Sequence, residues 1–510
     1  MAVRTHAQPA RRGRRGPGGE RPSLGLALVA LGFVLAELFV VTPRAYLSWD
    51  EALYVSQFST HVPAMAMDAH RSIGVSLLTA PIAVVTASVT AIRIYLSVLA
   101  GVGLFLAYRP WLRTGGAAAS LGALLFAGLA VTLTNGNVAL PNLFVALGGV
   151  AGVGFFVAAV QARTGRGGAL AGLASAFVVV SLVRPTDAVW LAAPMLVAAA
   201  LPVWGRRPAP APAAAIGAGL AVGGAVWIVE AYARFGGPLT RLAMVREVTD
   251  AGMHGELGDQ VAALGSRLAD GWDSQLATGL LTSVALAALL LAGLRVARRT
   301  ARMPGWLLAL ATALTASAPY LTLLSYPSGR YLLPAAALVA LPVGDGVRWL
   351  ASRRIGTGTG TAALAAAGVT VLLAAHIGSQ LWSARVAAQH SMVNRRAHPL
   401  YAERLHELGI RPPCRVSGSS APQIAYAARC AAADTAYDAR RASVEIGSWA
   451  ERHPESVAAL TARDLRAARA AGQRFVVVAR TPARPPHLAG WSRAQLLPNH
   501  PWYAYIPPWP

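Results

Sequence analysis

The sequence predicts a polytopic α-helical membrane protein of about eleven transmembrane helices, followed by a small soluble α/β domain. Three observations predict it. The chain has 510 residues, 55% of them hydrophobic and 13% charged, a balance unlike that of disordered or ordinary soluble domains. Its apolar runs reach the roughly 20 residues needed to cross a bilayer. After residue 382 the composition turns to mixed polarity with short β-like runs.

Residues 1–22 are rich in Arg, Pro and Gly and read as a disordered cytoplasmic tail. The run that follows, 24–42, has no A-x-A-like cleavage site and reads as a retained first span. Further runs fall at 90–108, 117–134, 143–160, 169–184, 187–204, 212–232, 276–296, 305–324, 331–349 and 361–381. The run 72–88 is ambiguous by length alone, and the arginines decide it. If 72–88 does not cross, the tail and 109–116, 161–168, 205–211, 297–304 and 350–360 all lie on one side, and each carries Arg. Short inside loops concentrate Lys and Arg, so 72–88 reads as an interfacial or re-entrant helix. The N-terminus is then cytoplasmic and the C-terminal part extracytoplasmic, in the plasma (inner) membrane. The net charge of +23 is carried without a single Lys, and many of its arginines fall in these short clusters between apolar runs, which gives no support for nucleic acid as a partner.

The domain boundaries follow from this. The transmembrane domain is 23–382, with outer loops 43–89 and 233–275. The extracytoplasmic α/β domain is 383–510, with β-like runs at Arg415–Ser417 and Phe475–Val478 around a helix-like stretch at Val457–Ala471. Cys414 and Cys430, the only cysteines, are either two buried thiols or, in an oxidising exterior, a disulfide contributing about 3 kcal/mol.

Polar residues gather on the outer face. The first loop holds Asp50 and Glu51 within Tyr46–Tyr54, and ionisable groups at membrane depth are functional candidates by default. If Trp49–Thr60 is helical, Asp50, Tyr54, Gln57 and His61 share one face and Glu51 another. Asp50 would then face a cleft while Glu51 pairs with an Arg or caps a neighbouring element. The alternative is a solvated interfacial helix. A second cluster is Thr134–Asn142. The third, Arg184-Pro-Thr-Asp187, is either a site or a salt bridge at headgroup level. In the fourth, Ser325–Tyr331 followed by Pro334, Arg330 either snorkels to headgroups or binds a phosphate with paired hydrogen bonds. The loop 233–275, with Arg241, Arg246 and Glu247, is either a lid over the cleft or a surface helix. Zinc-hydrolase, P-loop and serine-hydrolase motifs are absent from the sequence.

These parts, W-D-E-A-L-Y at Trp49–Tyr54, the Pro81 segment leading to Ala91-Ile-Arg93, and R-Y-L-L-P at Arg330–Pro334, resemble the GT-C superfamily of integral-membrane glycosyltransferases. The likeness is to the protein O-mannosyltransferase and aminoarabinose-transferase type, and covers about residues 24–350. It implies an inverting enzyme that takes a sugar, hexose or pentose, from a polyprenyl-phosphate donor. The acceptor would be a cell-envelope glycan, a glycolipid or a protein. By the resemblance Asp50 is the general base and Glu51 supports it. Arg330, with Arg71 or Arg184, holds the donor phosphate. Tyr54, His61, Asn142, Asp187, Tyr326 and Tyr331 complete the substrate contacts. One position departs from the pattern: where relatives often carry an acidic residue in the second outer loop, this chain has Asn142. A metal held between the loops is therefore not expected, and no cofactor is. Two rival readings are a flippase for lipid-linked glycan and an inactive GT-C-like scaffold.

Overall fold

The computed structural model describes residues 20–162, 164–202, 209–249, 276–322, 328–356, 360–433, 454–480, 484–498 and 500–508. Over most of their described residues the eleven expected spans fall on helix. The first is α1 (Glu20–Ala36), extended by a π-turn, Glu37–Val41. The loop that follows contains α2 (Trp49–Ser56) and α3 (Gly74–Ala83). Next come α4 (Val89–Tyr108), α5 (Ala117–Ala127), α6 (Pro141–Gln161), α7 (Gly167–Val183) and α8 (Pro185–Ala200). They are followed by α9 (Pro210–Phe235), α10 (Pro238–Thr249), α11 (Leu276–Arg299), α12 (Met303–Thr322), α13 (Leu333–Gly356) and α14 (Gly360–Arg395).

Among the described residues five helical stretches are long and apolar enough to cross a membrane: 22–41, 89–115, 141–161, 210–235 and 329–351. Helices α5, α7 and α8 are shorter, so helix length alone does not turn eleven runs into eleven spans. The expected run 117–134 is broken: α5 ends at Ala127 and a short helix restarts at Ala130. The Ala130 N–H, left without a helical partner by the break, donates to Gln380 Oε1 of α14 at 2.9 Å. Helix α3 has ten residues, about 15 Å at 1.5 Å per residue. That is half a hydrocarbon core, as expected of an element that does not cross.

The packing of α3 positions the site. A Cβ on Gly74 would lie 2.4 Å from the Leu182 carbonyl oxygen, so only glycine lets the start of α3 abut the end of α7. That contact brings the loop before α3 beside Arg184.

The C-terminal part is a five-stranded mixed sheet, order β2-β1-β3-β5-β4, with β1 Cys414–Gly418, β2 Ala431–Ala432, β3 Arg474–Ala479, β4 Ser492–Gln495 and β5 Tyr503–Ile506. The pairs β1–β2 and β1–β3 are parallel, and β3–β5 and β4–β5 antiparallel. Helices α15 (Ala397–Glu407), α16 (Ala421–Ala428) and α17 (Pro454–Ala470) accompany it. Cys414 and Cys430 are joined as a disulfide across α16. The boundary expected at 382/383 has no break in the chain, because α14 runs through it as one helix of 36 residues. Residues of α16 and β1 share a continuous apolar core with α2, α4 and α6, so the sheet region is seated on the first outer loop.

Candidate active site

Helix α2 begins where Ser48 closes a capping box: its backbone N–H donates to Glu51 Oε2 at 2.8 Å, and its Oγ accepts from the Glu51 N–H at 3.4 Å. This satisfies two otherwise orphaned groups at the helix start and fixes Glu51 inward, 1% exposed. Arg93 of α4 grips that carboxylate from Nη1 at 3.1 Å and Nη2 at 3.2 Å, and Arg395 at the end of α14 adds 3.3 Å. The Ala139 N–H also donates to it, at 3.2 Å. Arg93 further donates to the carbonyls of Ala45, Tyr46 and Asn137. Glu51 thus both pairs with arginines and caps the helix, tying the first loop, the second loop and α14 together. Burial alone would raise its pKa, but Arg93, Arg395 and Ser48 outweigh burial and lower it.

The helix expected over Trp49–Thr60 stops at Ser56. Gln57 Nε2 donates to the carbonyls of Leu53, at 2.9 Å, and Met65, at 2.6 Å, while Ser56 Oγ accepts from the Met65 N–H. The chain turns back onto its own helix end, and side chains take the bonds a further turn would have used. His61 is therefore exposed in the loop and does not join the Asp50 face. Tyr54 is buried beneath it, its phenol pushed up to about 12 by burial.

Asp50, one-third exposed, bonds Arg71, and Arg71 also meets Asp68, three residues before it. One guanidinium bridges two carboxylates. Burial raises the Asp50 pKa, but Arg71, then Arg330 and His70, pull it below the ordinary value. His70 is open to solvent; the surrounding protein lowers its pKa, Asp50 opposes this, and Arg184 and Arg241 add to it.

A second cluster gathers around Arg184. Pro185 starts α8 and forces Arg184 out of helical geometry (φ −154°, ψ 90°), as a residue before proline prefers. Its Nη1 donates to Asn142 Oδ1 and to the Tyr320 hydroxyl, each at 3.1 Å, and lies 3.7 Å from Asp187 Oδ2. The Tyr320 hydroxyl donates to Asp187 in turn. Tyr320 stacks on Tyr331 at 4.7 Å, and Arg184 lies over the Tyr331 ring at 5.3 Å. The amide at Asn142, where a carboxylate was expected, accepts from an arginine and is 3% exposed.

Arg330 sits on the tight turn before α13, over the Tyr331 ring at 5.4 Å. Its Nε is buried with no hydrogen-bond partner among the described residues. Together with Asp50, Ser48, Thr134, Asn135, Ser391 and Arg395 it lines a cavity of about 280 Å³. Tyr326 lies outside the described residues. Among the described residues there is no group of three or more His, Cys, Asp or Glu placed to hold a metal.

The sequence reading missed Asp68, His70, Tyr320, Glu230 and Arg395. The Asp68–Arg71 spacing was visible, and so was a lone Glu230 at the end of an apolar run. Tyr320 and Arg395 carry no local signal, because each reaches its partner across the fold.

Solved structures with a similar arrangement of elements include ArnT and the oligosaccharyltransferase AglB. The chain is similar to ArnT from Cupriavidus metallidurans in the crystal structure bound to undecaprenyl phosphate, with a TM-score of 0.64 and 13% identity over 94% of this chain and 97% of that one. The apo state of ArnT gives a TM-score of 0.59 and 14% identity over 95% and 98%. The archaeal oligosaccharyltransferase AglB from Archaeoglobus fulgidus, in complex with an inhibitory peptide and a dolichol-phosphate, gives 0.51 and 13% identity over 89% of this chain and 69% of that one. No protein-family model matches the sequence, and no curated protein does. The likeness is one of fold: the chain shares the helical architecture, with its small C-terminal sheet region, of these solved structures. At 13–14% identity the likeness identifies that architecture and no particular enzyme.

Proposed function

We propose that the chain is an inverting glycosyltransferase of the plasma membrane that moves a sugar from a polyprenyl-phosphate donor to a hydroxyl acceptor of the cell envelope. Asp50 acts as general base. The acceptor oxygen loses its proton to Asp50 while attacking the anomeric carbon, and the bond from that carbon to the phosphate oxygen breaks on the opposite side. Polyprenyl phosphate leaves, and the proton passes from Asp50 to solvent. The leaving group is already competent, so one carboxylate suffices, unlike glycoside hydrolysis. The departing phosphate needs cations, and Arg330 supplies the main one, with Arg184 behind it.

The observation that carries this reading is Arg330: a guanidinium whose buried Nε has no partner among the described residues and which shares a cavity with Asp50. Undecaprenyl phosphate in the ArnT structure supports a polyprenyl-phosphate donor. The Cys414–Cys430 disulfide and the arginine-bearing loops support a cytoplasmic N-terminus and an extracytoplasmic sheet domain. Transfer is metal-independent in this reading, because Arg71 already places a positive charge between Asp50 and Asp68 and Asn142 offers an amide already engaged by Arg184.

The test is transfer from a panel of polyprenyl-phosphate sugars by purified protein in vesicles, with and without chelator. Transfer that survives chelator and drops at least about 100-fold in Asp50→Asn supports the reading. Full transfer in a folded Asp50→Asn protein refutes the base assignment, and uptake or flipping without transfer refutes the enzyme.

A further inference from the structure

Arg241 was, from sequence, one of several charges in a long outer loop. In the fold it is fully buried in the first turn of α10. Its Nε donates to the Ala69 carbonyl at 3.0 Å and its Nη2 to the Arg71 carbonyl at 2.6 Å. Nη2 also reaches Glu230 Oε2 at 3.0 Å, and Nη1 the Trp227 carbonyl at 3.1 Å. Trp227 and Phe235 hold the guanidinium between them, each ring centroid 4.8 Å away. A guanidinium offers five N–H donors in a rigid fork, and these contacts engage four of them.

Two of those acceptors are backbone carbonyls on either side of His70. Holding both on one fork fixes the chain over 69–71, with Asp68 and Arg71 turned into the protein and His70 outward. An Asp68 carbonyl accepting from the Arg71 N–H at 3.0 Å completes the turn. Arg71 is the residue that bridges Asp50 and Asp68. A desolvated arginine is costly unless its donors are met, and here two of the four engaged donors are met by the segment that aims Arg71.

We propose that Arg241 is a positioning residue for the Asp50 site, holding the 69–71 backbone so that Arg71 stays on the Asp50 carboxylate. The kinetic consequence rests on the proposed role of Asp50; the structural one does not. The charged and titratable groups around Asp50 are Arg71, Asp68 and His70 from its own loop, Tyr54 beneath it, Arg330 before α13 and Arg395 from α14. Arg241 acts on the first three by position. When Arg71 drifts away, the Asp50 carboxyl loses its nearest cation and binds protons more readily.

Hydrogen exchange over residues 66–73 in vesicle-embedded full-length protein gives the first test and needs no substrate. Arg241→Ala should exchange at least about ten-fold faster there, with α6 and α13 unchanged. Arg241→Lys, which keeps the charge beside Glu230 but offers no fork, should show the same change and serves if Arg241→Ala does not fold. The second test is the pH dependence of kcat/KM for transfer. Its acid limb should move to higher pH in either variant, giving about a ten-fold loss near pH 5 per pH unit moved and recovery near pH 8. In Arg71→Ala the further change Arg241→Lys should add no shift. Unchanged exchange over 66–73 in folded variants overturns the proposal, as does an unmoved acid limb beside fast exchange. If wild-type protein transfers no sugar, the proposed function fails while the exchange result still decides what Arg241 holds.

Discussion

At the scale of single residues, the two acids of the first outer loop have separate environments although they are adjacent. Glu51 is sealed by Arg93, Arg395 and Ser48, whereas Asp50 is open to the cleft and meets Arg71. Replacing Glu51 with Gln leaves two arginines facing a neutral amide, and breaking such a buried pair costs about 3 kcal/mol. A fall in melting temperature without any change in the acid limb of kcat/KM is the expected outcome. The sign of its pH dependence follows from its lowered pKa: the stability is present above the unfolded carboxylate value of about 4.3 and is lost as pH falls through the folded value. Melting curves from pH 7 to 3 should therefore be flatter in Glu51→Gln than in wild type. Asp50, also lowered, stays ionised into the acid range, which suits the base proposed for transfer. Removing Arg71 should move the acid limb of transfer to higher pH, with about a ten-fold loss of kcat/KM on the acid side for each pH unit moved. Arg330→Ala should weaken undecaprenyl phosphate binding by ten-fold or more, about 1.4 kcal/mol, with Arg330→Lys restoring part of it because charge returns without the paired geometry.

At the scale of elements, α2 is a helix of eight residues, too short to persist alone. Its start is fixed by the capping box and its end by Gln57 and Ser56, which hold the returning chain at Met65. Ser48→Ala removes the acceptor for the Glu51 N–H and should cost about 1 kcal/mol, measured as a shift in denaturant midpoint. The capping pattern Ser48-x-x-Glu51 was readable in the chain, because its two partners are three residues apart. The helix end was not, because it depends on a contact eight residues away that periodicity does not encode. His61 consequently fell off the face on which spacing alone would have set it.

At the scale of the whole molecule, the sheet region braces the first outer loop from behind. Arg395 of α14 reaches Glu51 and the Tyr46 carbonyl. In the amide orientation that satisfies both ends, Gln423 of α16 accepts from the Trp49 N–H at 3.2 Å and donates to the Ser420 carbonyl at 3.1 Å. The disulfide closes the loop of chain that contains α16. A cross-link over about 16 residues contributes about 3 kcal/mol. Reduction, or the paired change Cys414→Ala and Cys430→Ala, should therefore loosen α16 and speed hydrogen exchange over residues 46–56 while leaving α6 and α8 protected. Equal protection of 46–56 in reduced and oxidised protein would separate the sheet region from the site.

The sequence by itself determined the membrane class, the helical runs and the β-like runs at Arg415–Ser417 and Phe475–Val478, because each is written in local composition or short spacing. It also singled out Asp50, Arg184 and Arg330, since a charge at the end of an apolar run stands out whatever the fold. Only the tertiary structure decided what those charges meet. Arg93 and Arg395, about 300 residues apart in sequence, converge on one carboxylate, and Arg184, held out of helical geometry before Pro185, meets Asn142, 42 positions away. Arg241 reaches the carbonyls that hold Arg71 from α10, about 170 positions further along the chain. The physical reason is common to all three: a buried charge must find its partner in three dimensions, and helix packing, not spacing in the sequence, sets which partner is within reach.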